Sequence, residues 1–568
     1  MTNADVARLL YELAELMDLR GDVFKRNAYR RAARGVETLD GDVRELARDG
    51  RLDEIPGVGK SIASTIAEIV ETGTSRKLEE LRQGFPPGLA ELMRVPDLGP
   101  RTAVQLHREL GVSDLEGLKR AAEEHRIRSL KGFGERSEEN ILRGVEMVER
   151  LGRRMLLGDA LPVAEAIAAH VRAHGTELVS VAGSMRRMRE TVGDVDILAG
   201  TDRPEEALAA FVAYPEVAEV VVRGPTKSTV RLADGTQVDL RVVPAASFGA
   251  ALQYFTGSKD HNVRLRRLAL QKGLKLNEYG LFDASGANLA AGRDEGEVYR
   301  QLALPVIPPE LREDRGEIEA ALAGRLPRLV TEADIRGDLH VHTSMSDGRA
   351  SMREVAEAAV RRGYEYIGIT DHSRSLHVAH GLSEDDLLAS VEQARQLTRE
   401  LGFPVLRGAE VDILEDGSLD YPDEVLEQLD YVIGSVHSRF KMSKDEMTER
   451  VVAAMADRHL SILGHPTGRL LGRREPYPID MERVMDEAAA RGVVLELNSF
   501  PDRLDLNDLH CRMAKEHGVL VSVDTDAHGV EQLDHMRLGV GTARRGWLGP
   551  EDVLNTRALD EVRRLLRR

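Results

Sequence analysis

Between residues 335 and 568, six short apolar runs alternate with helical stretches: YIGITD, FPVLRGAE, YVIGSVH, LSILGH, VVLELN and VLVSVD. Such βα alternation predicts a parallel sheet closed, or nearly closed, into a barrel. It also restricts where chemistry can sit, because the working residues of these folds gather at the C-terminal ends of the strands. Most of the runs lead into histidines and carboxylates: His340, His342 and Asp347 in GDLHVHTSMSDG, His372 in ITDHS, Glu410 in RGAEVD, His437 in GSVHS, His465 in LGHPT, and Asp526 and His528 in DTDAH. This part of the chain holds 12 of its 17 histidines. Any one of them alone reads as a core residue; nine donors in this order read as a site. Imidazole mixed with bridging carboxylate suits Mn²⁺, Zn²⁺ or Fe²⁺ better than Mg²⁺ or Ca²⁺, and nine donors suffice for two or three ions. No such strand-end pattern surrounds His377, His380, His459, His510, His517 or His535, so no role is assigned to them.

A second constellation lies in GSMRRMRETVGDVDIL, residues 183–198. Gly183 and Ser184 follow one strand and open a helix, an arrangement that cradles polyphosphate. Arg186 or Arg187 can then meet phosphate oxygens. Asp194 and Asp196 stand two apart, which places both carboxylates on one face of a strand. Asp239 joins them from VDLRVV. Three carboxylates on adjacent strands make a hard-oxygen site for Mg²⁺ or Mn²⁺, and two such ions can activate a 3′-hydroxyl and stabilise a leaving pyrophosphate.

Upstream, residues 1–150 read as short helices, with Val6, Leu9, Leu10, Leu13 and Leu16 at helical spacing. IPGVGKSIA, VPDLGPRTA and LKGFGERSE, starting at residues 55, 95 and 130, form a weak internal repeat: an apolar residue, a glycine-containing turn and a helix start. Such a hairpin aims backbone N–H groups at a phosphate through Gly57, Gly59, Lys60, Gly99, Gly132 and Gly134. The second copy departs from the others, with Asp97 in place of the first glycine. Strands are expected at TELVSVAG, DVDILAG, AEVVVRG, STVRLA and QVDLRVV, with a turn at Asp234-Gly235. Prolines 305, 308, 309 and 327 and the run ELREDRGEIE predict a linker over 311–334.

At 568 residues the chain needs several cores. No apolar run approaches the roughly 18 residues that span a bilayer, and the single Cys511 excludes an internal disulfide framework. The expectation is a cytoplasmic monomer. The net charge of −18 is uneven: residues 1–330 carry 48 basic against 52 acidic side chains, residues 331–568 carry 30 against 44. Acidity therefore concentrates in the histidine-rich part, where multivalent cations offset it, and DNA affinity in the rest depends on local basic and N–H clusters.

The 183–198 segment and the later Val-Asp strand resemble the nucleotidyltransferase core of family X DNA polymerases, the DNA polymerase beta-like group. The resemblance implies that Asp194, Asp196 and Asp239 hold the metals and that Gly183, Ser184 and Arg187 bind the triphosphate. AALQYFTGSKDHNVRLRRLA, residues 250–269, resembles the family's nucleotide pocket, with Tyr254, Phe255 and Gly257 by the sugar, Asn262 by the base and Arg266 by the template. FKRNAYRRAA resembles the DNA-end-binding domain, with Lys25 and Arg30 on a 5′-phosphate. One departure stands out. Lyase-competent relatives carry a lysine after the first hairpin; Thr65 occupies that place and cannot form an imine, so weak or absent deoxyribose-phosphate lyase activity is expected.

The nine C-terminal donors resemble the polymerase-and-histidinol-phosphatase (PHP) superfamily in motif order. Together the resemblances imply a multidomain α+β and α/β protein: a DNA-end-binding domain at 1–85 and a duplex-binding domain at 86–150, each with a helix-hairpin-helix, a nucleotidyltransferase palm at 151–248, a thumb or nucleotide-pocket subdomain at 249–310, the linker at 311–334, and a distorted (β/α) barrel of PHP type at 335–568. They imply gap filling on gapped or primer–template DNA with dNTPs in base excision repair, near the nucleoid. They also imply a metal-dependent 3′–5′ exonuclease, with abasic-site endonuclease or 3′-phosphatase activity left open. The competing readings are a small-molecule phosphoesterase with a DNA tether, a non-catalytic DNA-end-binding scaffold and a template-independent terminal transferase.

Overall fold

The computed structural model describes residues 3–566 except 38, 40–42, 83–88, 93–94, 96–97, 152–153 and 291; Asp97 lies outside them. The chain forms two compact units, one of residues 1–153 with 472–474, the other of the remainder.

The first unit is helical. Its leading helix, Asn3–Leu19, buries Val6, Leu9, Leu10, Leu13 and Leu16, the stripe its spacing predicts. The three repeated hairpins share one backbone hydrogen bond. Val58 N–H donates to Ile55 O at 3.0 Å, Leu98 N–H to Val95 O at 3.1 Å and Phe133 N–H to Leu130 O at 3.1 Å. Each turn then opens a helix, Lys60–Thr72, Pro100–Leu110 or Glu135–Leu151.

The second unit opens with a five-stranded sheet in the order Leu178–Val181, Val195–Gly200, Gln237–Val243, Lys227–Leu232, Val217–Arg223. Helices Leu157–Ala173 and Pro204–Val212 join Val195, Ile197, Ala199, Val238, Leu240 and Val242 in one core. Period-two alternation therefore sends Asp196 and Asp239 to the opposite face. The Asp234-Gly235 turn forms as expected, with Gly235 at φ +90°.

Helices Phe248–Thr256 and Lys259–Gln271 lead into a small subdomain whose core runs from Ala250 to Leu329. The linker expected at 311–334 is corrected here. Leu311, Ile318, Ala321 and Leu329 belong to that core, Arg312 and Glu317 are fully buried, and Val330 joins the barrel's core. The prolines mark turns in a packed segment, because apolar residues between them supply burial that a linker lacks.

Seven strands follow: Gly337–Asp338, Tyr366–Ile369, Val405–Asp412, Tyr431–Ser435, Leu460–Leu463, Val494–Asn498 and Val521–Asp524, all parallel and adjacent in chain order. A parallel bridge from Val341 to Ala527 ties the last strand's end back to the first's. The near-closed barrel stands as expected. Among the described residues, no helix is long and apolar enough to cross a membrane.

Candidate active sites

Asp196 and Asp239 are register partners on neighbouring parallel strands. Asp194 lies one residue before its strand begins, not within it as the spacing suggested, and is exposed. Burial, then Asp194 and Asp239, push the Asp196 carboxyl up to about 6. Lys227 Nζ stands 2.7 Å from Asp239 Oδ2, and Thr229 Oγ1 donates to Asp239 Oδ1 at 2.6 Å. Gly183 must be glycine: its φ is +61°, and a Cβ there would come within 2.3 Å of Asp196 Oδ2. A pocket lined by Asp196, Asp239, Lys227, Arg241 and Phe255 opens on this face. Adjacent carboxylates opening on one pocket fit a divalent cation.

The two candidate phosphate arginines are both engaged. Arg186 binds Glu295 through Nη1 and Nη2 at 3.0 and 2.6 Å and reaches Thr256 Oγ1. Burial opposes ionisation of Glu295, but Arg186 and Arg312 lower its carboxyl to about 2. Arg187 donates from Nε to Glu313 at 3.0 Å and from Nη1 to Thr256 O at 2.8 Å. Ser184 lies in the short Gly183–Arg186 helix beside them.

The residues expected to form a nucleotide pocket fall at one helix junction. The Tyr254 and Phe255 rings meet edge to face at 5.2 Å, and Arg241 stacks on Phe255 at 5.1 Å. Asn262 is pinned by its own donation to Tyr254 O at 2.6 Å and by Gln253 Nε2 at 3.0 Å. A Cβ on Gly257 would lie 2.7 Å from Asn262 Oδ1. Arg266 Nε donates to Asn262 O.

In the first unit, Gly57 and Gly132 take φ +82° and +93°, and Gly59 and Gly99 start their helices without a side-chain cap. Helix starts of this kind offer first-turn N–H groups that an anion can use. Lys60, Gly134, Lys25 and Arg30 are exposed, Lys25 alongside Asp22. Thr65 is buried, its hydroxyl donating to Ser61 O at 3.1 Å.

In the barrel, eight of the nine predicted donors fall into three sets able to hold an ion: His342, Asp347, His372 and His528; His340, His342 and Asp526; His372, Glu410 and His437. The ninth, His465, points Nε2 at Glu410 Oε1 at 2.9 Å. His342 Nε2 lies 3.0 Å from Asp526 Oδ1, and His372 Nδ1 2.8 Å from Glu410 Oε2, yet neither pair has hydrogen-bond geometry. Donors this close without hydrogen-bond geometry are spaced as co-ligands of one cation would be. His465 and Asp526 sit at φ +25° and +53°, strain retained where the barrel over-determines the backbone.

Electrostatics keep the cluster charged. Burial opposes it, but His437, His372 and His340 hold Glu410 well below the usual carboxylate range. Burial also lowers His437 and His528, yet Glu410 and Asp412 raise the first to about 9, and Asp347 and Asp526 raise the second to about 9. Burial and neighbouring His372 and His528 push His342 down to about 4, leaving a neutral imidazole ready to ligate.

Two orienting carboxylates escaped the sequence reading. Glu496 Oε1 lies 2.5 Å from His340 Nδ1, and Asp412 Oδ1 lies 2.6 Å from His437 Nδ1. Each turns its imidazole's other nitrogen toward the cluster. An acid inside the otherwise apolar run VVLELN was the available signal for Glu496.

Family models match the chain at residues 1–75 (helix-hairpin-helix domain), 89–146 (SAM-like helix-hairpin-helix tandem), 251–313 (DNA polymerase beta thumb) and 338–500 (PHP domain). The chain is 40% identical, over the full length of both proteins, to the DNA polymerase/3′–5′ exonuclease PolX of Bacillus subtilis (strain 168). About 39% of it is 30% identical to 89% of a probable phosphatase of Thermoanaerobacter sp. (strain X514), and 40% of it is 31% identical to 90% of one from Caldanaerobacter subterraneus subsp. tengcongensis.

Proposed function

From the premise that this chain belongs to the family X DNA polymerases with a C-terminal PHP domain, DNA polymerase and 3′–5′ exonuclease in one polypeptide, we propose how its residues divide the work. The observation that carries the division is the presence of two chemically different donor sets in one chain: oxygen-only at the paired Asp196 and Asp239, with Asp194 close enough to act on Asp196, and histidine-rich from His340 to His528. Both activities depend on divalent metal. The first set suits Mg²⁺ or Mn²⁺ and the second two or three Mn²⁺, Zn²⁺ or Fe²⁺ ions, which when bound supply Lewis acidity for transfer to a 3′-hydroxyl and for phosphodiester hydrolysis.

The protein groups do the positioning. Asp196 and Asp239 fix the carboxylates side by side, and Lys227 and Thr229 hold Asp239 in its rotamer. Ser184 and Arg187 take the triphosphate of an incoming dNTP; Tyr254, Phe255 and Gly257 line the sugar; Asn262 and Arg266 face base and template. The hairpin N–H groups, Lys25 and Arg30 hold gapped or primer–template DNA by its phosphates, without reading sequence. Glu496 and Asp412 aim His340 and His437. We keep the division at 1–85, 86–150, 151–248 and 335–568, and join residues 311–329 to the thumb. The protein acts as a monomer in the cytosol, at the nucleoid, filling repair gaps and trimming ends.

A labelled primer on gapped and on single-stranded DNA, with Mg²⁺ or Mn²⁺ and with or without dNTPs, tests the reading. Extension requiring a template base and dNTPs, with degradation in their absence, is expected. Extension on single strands alone selects a terminal transferase, and hydrolysis of small phosphomonoesters without extension selects the tethered phosphatase.

A further inference from the structure

The loop that follows the Gly-Ser turn does not rest on the palm alone; the barrel grips it at three successive points. Arg545 Nη1, from the barrel helix Met536–Arg545, donates to the Arg187 carbonyl at 2.8 Å. Met188, at φ +53°, packs on Gly541 of the same helix, where a Cβ would fall 2.5 Å from its Cε. Glu190 accepts from Arg469 Nη2 at 2.7 Å.

Arg545 also reaches the side chain that holds Arg187. Its Nη1 lies 2.9 Å from Glu313 Oε1, the same oxygen that Arg187 Nε meets at 3.0 Å. Asp508 secures Arg545 from behind, accepting from Nη2 at 2.7 Å. Side-chain exposure is 5% for Arg545 and 8% for Glu313, so these contacts are little screened by water. One buried carboxylate oxygen is thus shared by two guanidiniums, one from each catalytic half.

We infer that Arg545 is a positioning residue of polymerisation: it fixes the backbone of Arg187 and draws off part of the Glu313 charge, leaving Arg187 able to bind a triphosphate. Without Arg545, the Arg187 carbonyl loses a buried donor and Glu313 turns its charge on Arg187, the only other ion-pair partner within 4 Å among the described residues being Arg189 at 3.7 Å. An incoming dNTP must then compete with a stronger internal ion pair. The barrel is accordingly part of the nucleotide site as well as the nuclease. This inference rests on the reading of Arg187 as a triphosphate ligand.

The test measures dNTP KM and kcat on gapped DNA, together with nuclease rate and Tm, in the full-length protein. Arg545→Ala is expected to raise dNTP KM about tenfold, the scale of one charge-assisted contact, with kcat and nuclease rate close to wild type. Adding Glu313→Gln should bring KM back down, and Arg545→Lys should give a smaller rise. If Arg545→Ala does not fold, the lysine variant carries the test by the same KM criterion. A KM unchanged in a folded Arg545 variant overturns the inference, as does a parallel fall of kcat and nuclease rate. Arg187→Ala separates the two ideas. A raised KM there with none in Arg545→Ala sinks only the positioning role, whereas an unchanged KM in Arg187→Ala sinks the triphosphate reading and the inference with it.

Discussion

Asp196 and Asp239 face each other in register across two parallel strands, and Lys227 closes on the second of them at 2.7 Å. Burial, then the charges of Asp194 and Asp239, raise the Asp196 carboxyl, a setting that a divalent cation would relieve. Asp239→Asn should therefore abolish primer extension by more than about a hundredfold, beyond what loss of an outer-sphere partner costs. Its exonuclease should persist, and a single gel with and without dNTPs reads both.

His342 contributes to two of the three ligand sets, and burial keeps its imidazole neutral. His342→Ala should remove the 3′–5′ exonuclease while leaving gap filling within about twofold of wild type, since His342 shares no ligand partner with Asp196 or Asp239. Equal loss of both activities would show that the two centres are not separable.

Glu496 belongs to none of the three ligand sets but holds His340 Nδ1 at 2.5 Å and accepts from His465 N–H at 2.5 Å. Glu496→Gln should weaken metal binding about 10- to 100-fold. The deficit should appear as a rightward shift in the Mn²⁺ dependence of nuclease activity and close at saturating Mn²⁺. A loss that saturating metal does not restore would place Glu496 in the chemistry itself.

Glu295 ties Arg186 to Arg312 in the thumb, and its carboxyl lies at about 2 against an ordinary 4.5. A depressed carboxylate stabilises the fold above its unfolded pKa and loses that contribution as pH falls through the folded value. The window is therefore pH 4.5 down to 2, and the size is about 3 kcal/mol at the upper end. Urea unfolding of Glu295→Gln should be correspondingly less pH-dependent across that window than wild type. Matching slopes would remove the pair from the stability of this region.

Thr65 offers a hydroxyl, already donated to Ser61 O, where an imine-forming lysine would be needed. Borohydride treatment on an incised abasic substrate should trap no more protein than a reaction without borohydride. Trapping at substantial yield would identify another amine, with Lys60 the first to substitute.

The barrel, and the gathering of eight of the nine predicted donors into three sets, were legible because strand-end position follows from local patterning: an apolar run of four or five residues and the polar group after it are neighbours along the chain. The helical stripe at Val6 to Leu16 and the Asp234-Gly235 turn were legible for the same reason. The segment 311–334 was misread because proline and mixed charge describe a loop equally well whether it floats or packs; only the burial of Arg312, Glu317 and Ile318 distinguishes the two. Asp412 and Glu496 were overlooked because orienting carboxylates have no fixed spacing from the histidines they serve.

What the sequence determined by itself is the inventory of chemistry: which donors, in which order, on which kind of element. What only the tertiary structure decided is their company. Asp196 meets Asp239, Glu410 gathers His372, His437 and His465, and Arg545 reaches Arg187 across 358 residues of chain. Spacing along a strand or helix encodes local direction, whereas contacts between distant segments depend on how whole elements pack, and no short pattern carries that.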